Sequence, residues 1–223
     1  MLHAQQSTDP LPIPVHSPAA EVPYTEQYRQ VYVSLDLPPQ ACPTVIGVTS
    51  AISGEGRTTV ALGLAQTLAY DLDVPITLVE VDLARPSLAP HFGIVPSPGL
   101  CEVLREECGL DEAMRAVSTN LSIVTTGSVG PDSARLLRQL PTRDPFHGPD
   151  APDGVVILDL PPIINHSYGP LAASVADAIV LVVRACVTPR AVVQEALARL
   201  EDRPPQGVVF NGPRSSLPAW WPS

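Results

Sequence analysis

Six short runs of the chain are rich in Val and Ile and mostly apolar on both faces: 44–49 (TVIGVT), 76–82 (ITLVEVD), 121–126 (LSIVTT), 155–159 (VVILD), 178–184 (AIVLVVR) and 206–211 (QGVVFN). A strand that alternates apolar with polar can leave one face in water, but a strand apolar throughout has to be covered on both. Helix-length segments fall between the runs, at 57–71, 99–106, 110–117, 133–140, 167–176 and 189–202. The last of these opens with Thr188-Pro189, the pattern of a capping residue followed by proline in the first turn. Strand and helix in alternation, with strands that need cover on both sides, predict a doubly wound, mostly parallel α/β sheet with helices on both faces.

The 223 residues suffice for one such domain and a sizeable core. Many of the 27 prolines fall in the first 43 residues, between 141 and 152, and after 203. Residues 1–23 are therefore expected to be a disordered Pro-rich tail, 24–212 the folded domain, and 213–223 a C-terminal tail. Within 24–36, Tyr24, Tyr28 and Tyr32 are spaced four apart, so a helix there carries them on one face, as a packing stripe. Cys42, Cys101, Cys108 and Cys186 form no Cys-x-x-Cys pair and are expected to be free thiols.

The formal net charge is −10 and the isoelectric point lies near 4.8, which argues against non-specific binding to nucleic acid or anionic lipid. No apolar run has the length of a membrane helix and the N-terminus carries no basic-plus-apolar leader, so a cytoplasmic protein without direct membrane insertion is expected.

Three stretches carry chemistry, each at the end of an expected strand. The first is TSAISGEGRTT, Thr49–Thr59. A strand, a glycine turn and a helix start are the setting of a phosphate-binding loop: the glycines let backbone N–H groups converge on phosphate oxygens, and the helix dipole favours the anion. Ala51 stands where the pattern has its first glycine and Arg57 where it has lysine. The chain has no lysine at all, and its 13 basic residues are all arginine. Ser53, Gly54, Glu55, Gly56, Arg57, Thr58 and Thr59 are the expected phosphate cradle, with the Thr58 hydroxyl on Mg²⁺ and the Arg57 charge on the β/γ-phosphates.

The second stretch is Glu80-Val81-Asp82-Leu83-Ala84-Arg85-Pro86. Two carboxylates at i and i+2 on a strand point to one face, here the side of the γ-phosphate and its metal. The third is Val155–Asp159, four apolar residues ending in the carboxylate of a Walker B strand, an Mg²⁺ ligand in such sites.

With these residues together, the chain resembles the bacterial tyrosine kinases of capsule and exopolysaccharide assembly. Their Gly-Glu-Gly-Lys-[Ser/Thr] loop corresponds to Gly54-Glu55-Gly56-Arg57-Thr58, and their Asp-x-Asp-Leu-Arg-x-Pro motif to Glu80–Pro86. Further likeness lies in His91-Phe92-Gly93, Gly99-Leu100, Pro131-Asp132, the Asp159-Leu-Pro-Pro turn and Gly207–Asn211, so that it spans roughly 24–212.

The resemblance implies a P-loop fold with ATP and Mg²⁺ as cofactors and transfer of the γ-phosphoryl group to tyrosine. Asp82 and Asp159 would hold the metal, Glu80 would orient or deprotonate the attacking hydroxyl, and Asn211 would contact the base. The implied partner is the cytoplasmic tail of a membrane chain-length regulator (polysaccharide copolymerase), which would recruit the chain to the inner face of the membrane; a homo-oligomer is a further expectation.

Departures from the family pattern are Arg57, Glu80, Ala84, a C-terminal tail without tyrosine, and Glu26-Gln-Tyr-Arg29-Gln-Val-Tyr32, where a second arginine is missing. They leave a second reading open, a nucleotide-dependent regulatory partner that transfers phosphate poorly. Partition and division-site ATPases stand further off, because their signature loop lysine falls here on Ile52.

Overall fold

The computed structural model describes residues 25–35, 37 and 43–212. The two expected tails, Tyr24, Cys42, Trp220 and Trp221 lie outside the described residues. In chain order the elements are α1 (Thr25–Ser34), β1 (Thr44–Ser50), α2 (Arg57–Asp71), β2 (Ile76–Glu80), α3 (Leu88–Phe92), α4 (Leu100–Leu104), α5 (Leu110–Ala113), β3 (Arg115–Ala116), β4 (Leu121–Val124), α6 (Ser133–Arg143), β5 (Val155–Asp159), α7 (Gly169–Ala173), β6 (Ala178–Arg184), α8 (Arg190–Arg199) and β7 (Gly207–Asn211).

The seven strands form one sheet in the order β3-β4-β2-β5-β1-β6-β7, parallel except for the β3–β4 pair. The apolar runs are buried on both faces, as their composition requires. Val45, Val79, Val156 and Leu158 point into a core built with α4 to α8, whereas Ile46, Val48, Leu78 and Ile157 point into one built with α1, α2 and α3. Only β7 departs from this pattern: it is an edge strand whose Val208 and Phe210 are exposed. Tyr28 and Tyr32 pack partly buried on the second core, Tyr28 lying over Gly63 of α2, where a Cβ would come within 2.3 Å of its ring. The aromatic spacing of α1 thus serves packing.

Three local expectations are corrected. The helix expected over 110–117 stops at Ala113, because Met114 takes an extended backbone and Val117 and Ser118 donate to the Leu121 carbonyl, folding 115–124 into a hairpin. Thr188 does not cap α8. Its hydroxyl donates to Glu55 at 2.5 Å, and the capping position falls to Pro189. The short helix α3 lies in a stretch for which no element was expected.

The insertion of β5 between β1 and β2 positions the site. Val48, Asp159 and Glu80 lie level across three neighbouring strands. The ends of β1, β2 and β5 therefore open onto one point at the C-terminal edge of the sheet, where ligands of such folds bind.

Candidate functional site

The loop between β1 and α2 passes through two left-handed residues, Gly54 and Gly56, each at φ +87. A side chain is strained at such an angle, and only glycine takes it freely. Gly56 is also the residue before α2, and no side chain caps that helix. The first-turn N–H groups of a 15-residue helix are therefore left facing a cleft of about 170 Å³ lined by Ser50, Gly54, Glu55, Gly56, Arg57 and Thr58. An uncapped helix start with converging N–H groups and the positive end of the dipole favours an anion. A larger cleft, about 290 Å³, lies at the opposite edge of the sheet beside Pro75, Met114 and Pro152 and shares none of these features.

Glu55 lines the cleft, but its carboxylate is spent on holding the loop. It is 2% exposed; one carboxylate oxygen accepts the Ile52 N–H at 2.8 Å, and the other accepts the Arg184 N–H at 3.0 Å and the Thr188 hydroxyl. Asn211 reaches the same loop, its Nδ2 donating to the Glu55 carbonyl at 2.8 Å. Ser53 donates its N–H to Asn165 Oδ1 at 3.2 Å, and Thr59 is exposed on the outer side of the first turn. The loop is thus held to β6, to β7 and to the segment after β5.

Above the cleft stand Arg57, Thr58, Asp82 and Asp159. Arg57 Nε donates to Asp159 Oδ1 at 3.0 Å while its Nη2 donates to Asp82 Oδ2, and the Thr58 hydroxyl donates to Asp159 Oδ2 at 2.6 Å. Asp82 also accepts the Ala84 N–H at 3.2 Å. Both carboxylates are at most 2% exposed. One hydroxyl and two carboxylates are hard oxygen donors of the kind Mg²⁺ takes, so the residues fit that ion.

Glu80 lies close to this group but is committed elsewhere. It is fully buried; its Oε1 accepts the Ser87 N–H, the Ser87 hydroxyl at 3.0 Å and the Leu88 N–H at 2.9 Å, and its Oε2 accepts the Thr126 N–H at 3.3 Å. Here Glu80 ties the start of α3 and the end of β4 to β2. Its extra methylene relative to aspartate lengthens the reach of its carboxylate. Two neighbours of the site carry no motif, Asn165 and His166. Burial lowers the His166 imidazole below its ordinary range; Asp82 counters that shift and Arg57 adds to it.

Burial pushes the Asp159 carboxyl up to about 6, against the pull of Arg57 and the Thr58 hydroxyl, with the Glu80 charge adding to the rise. The folded protein therefore binds this proton more tightly than the open chain does. That contribution to stability is complete below the ordinary carboxylate value of 3.8 and is lost as the pH rises through about 6. At about pH 7.5 the ionised group is held at a cost on the order of 3 kcal/mol. Asp159→Asn is expected to melt above the wild type there, and the gap should close as the pH falls below about 6. Thermal unfolding of both proteins without nucleotide, over about pH 5 to 8, checks this; a wild type that gains nothing relative to the variant on acidification refutes it.

No family model matches the chain. Among curated proteins it is 29% identical over 198 residues to the tyrosine-protein kinase YwqD of Bacillus subtilis, covering 86% of this chain and 82% of that protein. It is 24% identical over 196 residues to the putative tyrosine-protein kinase EpsB of Ralstonia nicotianae, covering 85% of this chain and 26% of that longer one.

Among solved structures, the kinase domain of the Escherichia coli tyrosine kinase ETK matches with a TM-score of 0.73 at 21% identity, over 100% of this chain and 88% of that one. The VpsO kinase domain matches with a TM-score of 0.70 at 26% identity, over 86% and 93%. The septum-site protein MinD of Pyrococcus horikoshii, in complex with Mg-ADP, matches with a TM-score of 0.63 at 19% identity, over 75% and 70%. The chain thus shares its fold with these kinase domains and with MinD, and over most of its length it is similar in sequence to bacterial tyrosine kinases.

Proposed function

We propose that the chain binds ATP with Mg²⁺ and transfers the γ-phosphoryl group to protein tyrosine, as a kinase acting with a membrane protein that sets the chain length of a capsular or exported polysaccharide. One observation carries the reading: an uncapped helix start behind left-handed glycines, with one hydroxyl and two buried carboxylates meeting over it. The naming of the relatives as tyrosine kinases favours phosphate transfer over a purely regulatory role.

The loop N–H groups from Ser53 to Thr59 cradle the phosphates. Thr58, Asp82 and Asp159 hold the metal, which draws charge off the β- and γ-oxygens when bound. Arg57 turns from the carboxylates to the phosphates and supplies the remaining positive charge. Glu80 acts through the Ser87–Leu88 turn and keeps the Asp82 loop in place; its carboxylate is already saturated by four donors. Asn211 sets the floor of the loop from β7. Phosphoryl transfer asks a protein chiefly for such positioning and charge stabilisation. In this reading the partner attaches the chain to the membrane; among the described residues no helix is long and apolar enough to cross one.

Purified protein given ATP and Mg²⁺ should gain phosphotyrosine, detected by immunoblot and mass spectrometry, and should gain more with the cytoplasmic tail of the membrane partner present. Nucleotide binding without any transfer under both conditions would overturn the kinase reading in favour of a regulatory one.

A further inference from the structure

The bonds of Arg57 are unusual for a guanidinium. Nε and Nη2 lie on one edge of the planar fork, the edge that in a bidentate pair grips the two oxygens of a single carboxylate. Here that edge bridges two carboxylates from different strands, Asp159 at the end of β5 and Asp82 beyond β2. The Arg57 side chain is 10% exposed, with partners 2% and 1% exposed, so water does little to screen the group.

Two buried carboxylates side by side need a cation or a proton. Among the described residues, no other basic side chain is paired with either one. A lysine ammonium is a point charge and cannot span the two acids along a rigid edge as arginine does.

The donor count points the same way. Among the described residues, no group of three or more His, Cys, Asp and Glu side chains could hold a metal ion. The site offers two carboxylates and one hydroxyl, and each is already engaged. Mg²⁺ bound through one or two carboxylates takes its remaining protein-side affinity from substrate phosphates. Without them, the ion would have to displace a guanidinium that already engages both acids.

We infer that Arg57 is the built-in cation of the Asp82–Asp159 pair in the nucleotide-free protein, and that a divalent metal enters only together with the phosphates that draw the guanidinium away. Arg57 opens α2 at the end of the phosphate loop, so its side chain needs only to swing from the acids to the anion beside it. The site is thereby closed to free metal and opened by nucleotide. The inference rests on Thr58, Asp82 and Asp159 being the metal donors of the proposed kinase; it does not require that the kinase turn over.

Mn²⁺, whose free aquo ion gives an electron paramagnetic resonance signal that binding removes, is the probe. It is titrated into the nucleotide-free full chain, wild type and Arg57→Gln, with circular dichroism as the check on folding. Arg57→Gln should take up one ion per chain about tenfold or more tightly than the wild type. Addition of ADP should let the wild type take up Mn²⁺ beyond what ADP alone binds in buffer. If Arg57→Gln does not fold, Arg57→Lys, which covers only part of the acid pair, must show the same gain.

Nucleotide-free wild type that binds Mn²⁺ as tightly as the variant overturns the inference, as does a folded variant with no gain. A chain that behaves as inferred but makes no phosphotyrosine refutes the kinase reading alone. A chain that makes phosphotyrosine while its nucleotide-free form binds Mn²⁺ refutes the Arg57 gate alone.

Discussion

Asp82→Ala protein is expected to gain no measurable phosphotyrosine from ATP and Mg²⁺ while keeping its fold and much of its hold on nucleotide. Asp82 is 2% exposed and performs two tasks: one oxygen receives Arg57 Nη2, and the other receives the Ala84 N–H. Its removal deletes a metal donor and frees one end of the Arg57 fork, leaving the guanidinium aimed at Asp159 alone. Losing one well-aimed electrostatic group from such a site costs roughly 3–4 kcal/mol, or about a hundred- to thousand-fold in rate. Here the metal and the arginine are disturbed together, so the loss should lie at or beyond the upper end.

The phosphate cradle is made of backbone and does not pass through Asp82. Binding of a fluorescent ATP analogue should therefore fall far less than the transfer rate. Asp82→Asn, which can still accept the Ala84 N–H, separates charge from shape: it should keep the stability of the wild type and share the catalytic loss. Transfer by Asp82→Ala at the wild-type rate would remove Asp82 from the chemistry.

The fold and the core of the site were legible because both are written in periodic or local patterns. Val155–Asp159 has the boundaries that its apolar run suggests, since burial on both faces leaves few alternatives, and Arg57–Asp71 has those of the segment whose apolar side covers the sheet. Thr58, Asp82 and Asp159 meet because a strand is inserted between two others, a consequence of doubly wound topology that strand-end acids announce in advance.

What could not be read was long-range and polar. Glu55 looked like a phosphate-loop residue, yet its carboxylate is spent on Arg184 and Thr188, about 130 residues away. Glu80 looked like half of an acidic pair, but α3, too short to show a period, places the Ser87 and Leu88 N–H groups on it. Asn165 and His166 belong to a segment that follows the β1–α2 loop through the Ile163 and Ile164 N–H bonds to Ser50 and Ala51, and no spacing rule signals that.

Gly56→Ala should abolish measurable nucleotide binding, and the reason can be divided into two parts by one further change. Gly56 sits at φ +87, and an ideal Cβ there would lie 1.9 Å from Asn211 Nδ2 and 3.2 Å from its Cγ. Asn211 cannot move off without giving up its 2.8 Å bond to the Glu55 carbonyl, the contact that ties the loop to β7. Alanine therefore meets both a clash and a backbone angle that L side chains avoid, the latter costing on the order of 1–2 kcal/mol. The loop relieves both by turning its N–H groups out of the cleft.

Gly56→Ala combined with Asn211→Ala removes the clash and keeps the strain. The double variant should recover part of the affinity lost by Gly56→Ala, although Asn211→Ala alone weakens binding. Changes that are each harmful but improve on one another in combination are the signature of direct contact. Fluorescent-nucleotide titration of the four proteins measures the coupling. Losses that simply add would mean that the harm of Gly56→Ala does not come from contact with Asn211, and the backbone angle alone would then account for it.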